Sequence, residues 1–299
     1  MGLVTRAGVD ERSPRMDGET AAKHVLLDFE LVTLVALAAG LLLYAAARRI
    51  RRAFGGKIAA TGPYDGFDLL LMLFPAALFL LNPIAEVVAA ERGVGKGESS
   101  EASDVFGLAM NLGYFAFVGI MTYGLNEWVR NRRVSTLFGL RRLRPANIIV
   151  ISILGGVLSV LLCGWLVGDF STGYLEELVG KLDEQEPVKA FQETRSTLQF
   201  SMSIVLACVA APFVEELLFR GYIYGTVRQL TSPVFASVVV GALFAVVHGN
   251  LPALLPLWVF SILLTTAYEI TRCLWVPVGM HAFFNAANIV LMVHYNGAE

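Results

Sequence analysis

Long apolar runs separated by short polar segments dominate the pattern along the chain. The runs are Leu31–Ala47, Leu69–Ala90, Val105–Trp128, Ile148–Val167, Phe200–Tyr224, Val234–Val247, Ala253–Tyr268 and Leu274–Val293. A helix needs about 20 mostly apolar residues to cross the hydrocarbon core of a bilayer. Backbone groups in lipid must be satisfied within their own segment, so such runs are helices. The pattern therefore predicts an all-α integral membrane protein, a bundle of about eight transmembrane helices.

The composition agrees with this class. Hydrophobic residues make up 56% of the 299 positions, charged residues only 16%, and the mean hydropathy is +0.64. Soluble domains usually contain about 25% charged residues. The net charge of −2 is too small to indicate a nucleic-acid partner. We therefore expect the lipid bilayer as the environment and no nucleic acid as a partner.

The polar segments divide the chain and predict its orientation. The predicted parts are a polar tail at 1–25, four transmembrane helices at 26–170, an extracytoplasmic loop at 171–198 and a core of about four helices at 199–299. Basic residues follow the first, third, fifth and seventh runs, whereas acidic residues follow the second and fourth. Loops rich in Lys and Arg stay in the cytoplasm. This alternation predicts a multi-pass protein with both termini extracytoplasmic.

Ionisable side chains within membrane helices are rare, costly and usually functional, and this chain concentrates them after residue 210. Glu216 and Arg220 are four residues apart, so they share one helix face and can form a pair, which is often only structural. Glu215 lies about 100° round the helix, without a cation on its own face. Its carboxyl group is therefore either protonated or held by groups from other helices.

Two further polar positions complete the candidate site. His281 and Asn285 are four residues apart on one face, so they can direct two donors at one point, as an oxyanion site requires. Asn285 alone can also be a packing contact between helices. His248 can bind or orient a water molecule near Glu215. It stands at the far end of the sixth run, so the groups meet only if that helix is short, tilted or begins deep in the membrane. Because hydrolysis needs water, we expect a polar, water-filled cavity within the bundle.

The residues leave a metal site open but do not favour one. The His-Glu-x-x-His motif that is typical of membrane zinc proteases does not occur. His248, His281 and Glu215 can still form a three-ligand zinc site. The three cysteines lack both metal-binding spacing and the pattern of a disulfide framework. We therefore expect no cofactor and no metal, with zinc as the less favoured alternative.

Three short motifs follow one another along the last four predicted helices. They are Glu-Glu-x-x-x-Arg at Glu215, Glu216 and Arg220, Phe-x-x-x-His at Phe244 and His248, and His-x-x-x-Asn at His281 and Asn285. Together they resemble the CPBP family, and the resemblance covers residues 199–295. That family comprises the CAAX prenyl proteases of type 2 and related bacteriocin-processing and immunity proteins. The resemblance implies an intramembrane glutamic endopeptidase in a prokaryotic cytoplasmic membrane.

The resemblance also implies a role for each matching residue. Glu215 would be the general base that activates a water molecule, and His248 would help to hold that water. His281 and Asn285 would stabilise the oxyanion of the tetrahedral intermediate. The supporting residues would be Glu216 and Arg220, which brace the helix and tune Glu215, and Phe244, which packs beneath the site.

The expected function is hydrolysis of a peptide bond in a membrane-embedded or lipidated substrate. Two alternatives keep the same residues: a non-catalytic immunity or scaffold protein of the CPBP type, and a zinc-dependent membrane protease. A third, an ion-coupled transporter using Glu215 and Glu216 as a relay, would need charged residues spread along a path. The first four predicted helices offer few beyond Glu86.

Overall fold

The computed structural model describes residues 63–91, 101–168, 196–249 and 252–296. The predicted tail, the first predicted membrane helix and nearly all of the predicted loop at 171–198 lie outside these ranges. Within the described ranges every regular element is a helix. The all-α class predicted from the apolar runs is therefore confirmed.

Eight helices follow one another through the described residues. They are α1 (Gly66–Glu91), α2 (Glu101–Gly124), α3 (Val134–Leu137), α4 (Pro145–Ser159), α5 (Thr197–Leu230), α6 (Pro233–Val246), α7 (Leu254–Thr271) and α8 (Trp275–Asn296). π-Helical turns continue α2 at Leu125–Val129 and α4 at Val160–Gly168, and they interrupt α5 at Leu206–Ala210 and Leu217–Tyr224. Except for the short α3, these helices match the predicted membrane segments from the second onward.

Five of the described segments are long and apolar enough to cross a membrane. They are Asp104–Val129, Pro145–Gly164, Thr197–Leu230, Leu254–Thr271 and Trp275–His294. The apolar helices Gly66–Phe79 and Pro233–Val246 are shorter. The protein is thus a multi-pass, all-α membrane protein, and α6 is short, as its apolar run predicts.

Local sequence signals explain where the core helices begin. Ser196 precedes α5, and its hydroxyl accepts the Gln199 N–H at 3.3 Å. Ser232 precedes α6 and accepts the Phe235 N–H at 3.3 Å, with Pro233 in the first turn. Serine at this position satisfies an amide that the helix itself leaves without a partner, and proline fits the first helical turn because it has no N–H to lose. The Ser232–Pro233 pair therefore separates α5 from α6 with a tight turn.

One end of the bundle, which we call the basic end, carries all the described arginines except Arg220. They are Arg130, Arg132, Arg133, Arg141, Arg142, Arg144, Arg228 and Arg272. Here α1, α4, α6 and α8 begin, and α2, α5 and α7 end. Asp68 of α1 is fully buried there and accepts two hydrogen bonds from Arg132, at 2.8 and 2.7 Å. Burial alone would lower the pKa of Arg132, but the hydrogen bonds and charge of Asp68 raise it above its ordinary value.

The start of α8 is fixed by the loop that follows α3. The Leu274 N–H donates to the Phe138 carbonyl at 3.0 Å. Gly139 has a φ of +64°, and a Cβ atom there would lie 1.8 Å from the Arg272 carbonyl oxygen. Only glycine permits both this backbone conformation and this approach. The loop between α3 and α4 thus holds the turn from which α8 projects.

The helices α4 and α8 pack closely because small residues line their contact. A Cβ atom at Gly279 would lie 2.4 Å from the Ser152 hydroxyl, and one at Gly156 would lie 2.6 Å from the Phe283 ring. The Ser152 hydroxyl donates to the Val276 carbonyl at 3.2 Å. Small residues let membrane helices approach and hydrogen-bond across their contact. This α4/α8 seam supports the helix that carries His281 and Asn285.

Candidate active site

Helix α5 changes its winding on both sides of the two glutamates. The turns at Leu206–Ala210 and Leu217–Tyr224 are π-helical, and Ala211–Glu216 between them is α-helical. Pro212 has no N–H to donate to a preceding carbonyl, which favours a local change of hydrogen-bond register. π-Helical turns within α-helices occur frequently at functional sites. The two glutamates therefore lie on a short regular segment whose direction is set by irregular turns.

Glu216 is fully buried, and one of its oxygen atoms accepts two hydrogen bonds. Oε1 lies 3.0 Å from Arg220 Nη1 on the same helix and 2.9 Å from His281 Nδ1 on α8. A carboxylate that also binds a guanidinium acts only as an acceptor. We therefore assign the hydrogen of neutral His281 to Nδ1, which leaves Nε2 as an acceptor. The predicted pair of Glu216 and Arg220 thus also orients an imidazole from another helix.

Arg220 is held from three directions. In addition to Glu216, it donates through Nη2 to the carbonyl of Ser261 at 3.1 Å and to its hydroxyl at 2.7 Å. Its guanidinium carbon lies 4.7 Å from the centroid of the Phe244 ring. A buried cation needs such compensation, because removing it from water is costly. Arg220 consequently joins α5, α6 and α7 into one unit around Glu216.

Glu215, like Glu216, lacks a hydrogen-bond partner at one oxygen within the described part of the chain. The unpartnered oxygen of Glu215 is Oε2, which is buried. It lies 3.9 Å from His281 Nε2 and 4.0 Å from His248 Nε2. These distances exceed those of direct hydrogen bonds and suit contacts that a water molecule bridges. Glu215 is thus placed between two imidazoles without being bonded to either.

His248 reaches Glu215 because α6 is short and ends at Val246. Its Nδ1 atom lies 2.7 Å from the Phe244 carbonyl. A carbonyl is only an acceptor, so Nδ1 carries the hydrogen and Nε2 of a neutral ring is an acceptor. The side chain of His248 is 30% exposed, whereas those of Glu215 and His281 are 8% and 4% exposed. Access to the cluster is therefore from the side of His248.

The arrangement brings three acceptor atoms together. They are Glu215 Oε2 and, in the neutral rings, the Nε2 atoms of His248 and His281. A water molecule can donate two hydrogen bonds to such a group and keep its lone pairs free. A single added proton on one of the three groups would supply a further donor. The site is thus chemically suited to binding and deprotonating water.

Asn285 and His281, four residues apart on α8, each form a hydrogen bond to α5. The Nδ2 atom of Asn285 donates to the carbonyl of Ala207 at 2.8 Å, whereas His281 is bonded to Glu216 through Nδ1. Ala207 lies in the first π-helical segment of α5, next to which α8 passes. Both observed hydrogen bonds therefore fasten α8 to α5. Asn285 keeps a second N–H, because an amide nitrogen has two hydrogens.

Aromatic rings enclose the cluster. Phe244 lies beside His281, with ring centroids 5.8 Å apart, and contacts the ring of His248 at 4.8 Å. Phe260 of α7 approaches His281 at 5.2 Å and stacks on Phe284 at 4.2 Å. Such a surrounding lowers the local dielectric constant and strengthens electrostatic interactions. Phe244 therefore packs against both histidines and Arg220.

Sequence reasoning missed three contributors to the site. Ser261 and Phe260 are neighbours on α7, which carries no motif, and Ala207 contributes only its backbone carbonyl. Ser261 offers one signal, a hydroxyl residue within an apolar run. Nothing in the sequence distinguishes Phe260 or Ala207 from their neighbours.

The described residues provide no arrangement of three His, Cys, Asp or Glu side chains suited to holding a metal ion. Cys163, Cys208 and Cys273 are free thiols. The absence of a metal and of a cofactor stays a prediction, to be tested by experiment.

Comparisons with known proteins agree with the location of this cluster. Residues 197–287 match the family model of the type II CAAX prenyl endopeptidase Rce1-like proteins. A Bacillus subtilis (strain 168) protein named "Putative membrane peptidase YdiL" is 26% identical over 92 residues, which cover 31% of this chain and 38% of that protein. No solved structure matches the chain. The aligned part thus spans about 38% of the length of this curated relative.

The fold and the cluster define a multi-pass membrane protein with a buried Glu–His site on its last four helices. The match to the type II CAAX prenyl endopeptidase Rce1-like model covers residues 197–287, and all three motifs lie within this range.

Proposed function

We propose that the protein is an intramembrane endopeptidase that hydrolyses a peptide bond with a water molecule activated by Glu215. One observation carries the proposal: Glu215 Oε2 is buried and unpartnered, and the two imidazole Nε2 atoms lie 3.9 and 4.0 Å away. A general base must lie within hydrogen-bond reach of the proton that it removes. A water molecule donating to Glu215 Oε2 and to His248 Nε2 meets this condition.

The reaction proceeds in two steps. As the water oxygen attacks the carbonyl carbon, its proton passes to Glu215 and the carbonyl oxygen becomes an oxyanion. His281 in its protonated form donates through Nε2, and the second N–H of Asn285 is a further candidate donor. The C–N bond then breaks as protonated Glu215 gives its proton to the departing amine nitrogen. The products are a carboxyl group and an amine, and no cofactor is consumed.

The surroundings of the site favour a substrate that reaches it through the membrane. The cluster lies within apolar helices and is screened by Phe244, Phe260 and Phe284. The matching family model is that of the CAAX prenyl endopeptidases, and the relative is named a membrane peptidase. A membrane-embedded or lipidated peptide is therefore the substrate class that we propose.

The test compares wild type with Glu215→Gln in proteoliposomes, using a library of membrane peptides and mass spectrometry of the products. We expect Glu215→Gln to lower kcat about 10²–10⁴-fold, the usual contribution of a general base. The matched control is Glu127→Gln, which makes the same change at the end of α2. Glu127 accepts the Val134 N–H at 2.7 Å, and glutamine can still accept this bond.

Each other outcome assigns the protein to a different class. Cleavage lost with a chelator and restored by zinc would replace the glutamate mechanism with a zinc-dependent one. Should wild type cleave nothing, and Glu215→Gln leave the cellular phenotype unchanged, the catalytic proposal fails and a non-catalytic immunity or scaffold protein replaces it.

A further inference from the structure

A groove of about 390 Å³ opens at the basic end, where α4 and α8 begin. Its walls include Leu143, Ile148 and Ile149 on one side and Trp275, Val278 and Gly279 on the other. Ligand sites commonly have volumes of about 300–1,000 Å³. None of the lining residues has a charged side chain, so the groove is suited to an apolar chain.

This groove is separate from the candidate active site. Gly279 and His281 are two residues apart on α8, so they face nearly opposite directions. Trp275 connects the two regions, because its ring stacks on that of Phe213 with centroids 5.6 Å apart. Phe213 lies two residues before Glu215 on α5. An occupant of the groove would therefore pack behind α8 and near the start of the glutamate segment.

The rim of the groove is strongly basic. Three exposed arginines lie along the segment that lines the groove. Arg141 and Arg142 lie between the wall residues Leu140 and Leu143, and Arg144 directly precedes the wall residue Pro145. In the described part of the chain, unlike Arg130, Arg228 and Arg272, they have no carboxylate partner. The positive charge at the rim is therefore uncompensated within this part of the protein.

The start of α4 adds to this charge. Arg144 is its N-cap residue and provides no side-chain cap, and the first turn has no acidic residue. The first amides of a helix lack partners within the helix and carry a partial positive charge. Three arginines, these amides and an apolar groove thus lie side by side at one end of the bundle.

We propose that this groove binds one anionic phospholipid, with its phosphate at Arg141, Arg142 and Arg144 and an acyl chain between α4 and α8. Basic pockets between membrane helices bind anionic lipid head groups. Trp275, which is 38% exposed, fits the interfacial level at which tryptophan is enriched in membrane proteins. The proposal concerns lipid binding alone and holds whether or not the protein is a protease.

The test is native mass spectrometry of the full chain in mild detergent, titrated with phosphatidylglycerol or with phosphatidylcholine of the same acyl chains. We expect one phosphatidylglycerol to bind at least about tenfold more tightly than phosphatidylcholine. Arg142→Gln and Arg144→Gln should each weaken this binding about fivefold, as expected for one arginine near a charged head group. The lysine variants at the same positions should retain it, because they keep the charge.

Two further variants separate the head group from the chain. Arg133→Gln removes the same charge from an exposed position outside the groove and should leave binding unchanged. Ile149→Trp fills the groove from a wall residue that is 58% exposed and should weaken binding of both lipids. Equal affinity for the two lipids would overturn the proposal. The proposal would also be overturned if the double variant Arg142→Gln/Arg144→Gln, or the variant Ile149→Trp, bound phosphatidylglycerol with wild-type affinity.

Discussion

Charge balance restricts the protonation state of the buried residues at the site. Arg220 and Glu216 compensate each other at 3.0 Å. If Glu215 is ionised, one negative charge remains, and a proton on His248 or His281 would neutralise it. Uncompensated charge in a membrane interior costs several kcal/mol. The two imidazoles within 4.0 Å of Glu215 Oε2 are therefore the groups placed to balance a charge on that carboxylate.

The same substitution should affect the free energy of unfolding differently at the two neighbouring glutamates. Glu216→Gln leaves the fully buried Arg220 without its counter-charge, so the free energy of unfolding should fall by about 3–5 kcal/mol. Glu215→Gln replaces a buried, unpartnered carboxylate oxygen with a neutral amide, so stability should stay within about 0.5 kcal/mol or rise. Chemical unfolding in detergent micelles measures both values.

This pair of variants carries its own control, because the position differs by one residue and the chemical change is identical. An equal loss of stability in both would mean that Glu215 is a structural residue like Glu216. That result would remove the distinction between a reactive and a supporting carboxylate.

At the scale of the helix, the sequence predicts the positions of the charged residues on α5 but not its winding. Spacing alone correctly pairs Glu216 with Arg220 and leaves Glu215 without a local cation. The π-helical segments have no such pattern: Pro212 favours a change of hydrogen-bond register next to the first, and both segments also accept hydrogen bonds from distant residues. Asn285 binds the carbonyl of Ala207 in one segment, and Tyr64 binds that of Gly221 in the other. These partners are 78 and 157 residues away along the chain.

Tyr64 shows how the helices before the motifs support the site. Its hydroxyl donates to the Gly221 carbonyl at 2.7 Å in a buried position. Burial raises the pKa of Tyr64 well above its ordinary value, so the hydroxyl stays protonated and remains a donor. Tyr64→Phe leaves that carbonyl without this partner and should lower the free energy of unfolding by about 1–3 kcal/mol. Urea unfolding in micelles provides the measurement.

The matched control for this substitution is Tyr123→Phe. Tyr123 is 40% exposed, and its ring packs against Trp128 at 6.1 Å, so loss of the hydroxyl should change stability by less than about 0.5 kcal/mol. A Tyr64→Phe variant as stable as Tyr123→Phe would show that the N-terminal contact does not support α5.

Apolar runs are sufficient to predict the class of the protein and most of its helices, because lipid forces backbone groups to bond within each segment. They do not predict how the helices pack. The α4/α8 seam depends on glycines such as Gly156 and Gly279, whose role appears only when their neighbours are known. The apolar runs also do not predict that α6 ends at a point from which His248 reaches Glu215. The short sixth run is compatible with this contact but does not require it.

The charge asymmetry of the bundle predicts the direction in which it crosses the membrane. Eight of the nine described arginines lie at the basic end, including Arg142, and the rule for cytoplasmic loops predicts that this end lies in the cytoplasm. The test introduces single cysteines at Arg142 and at Thr197, exposed positions at opposite ends of the bundle. In intact cells, a membrane-impermeant maleimide should label Thr197→Cys, and it should label Arg142→Cys only after permeabilisation. The native thiols give a low background, because Cys163 and Cys273 are buried and Cys208 is partly buried. The reverse labelling would invert the orientation, whereas labelling of both from outside would mean that one of the intervening segments does not cross the membrane.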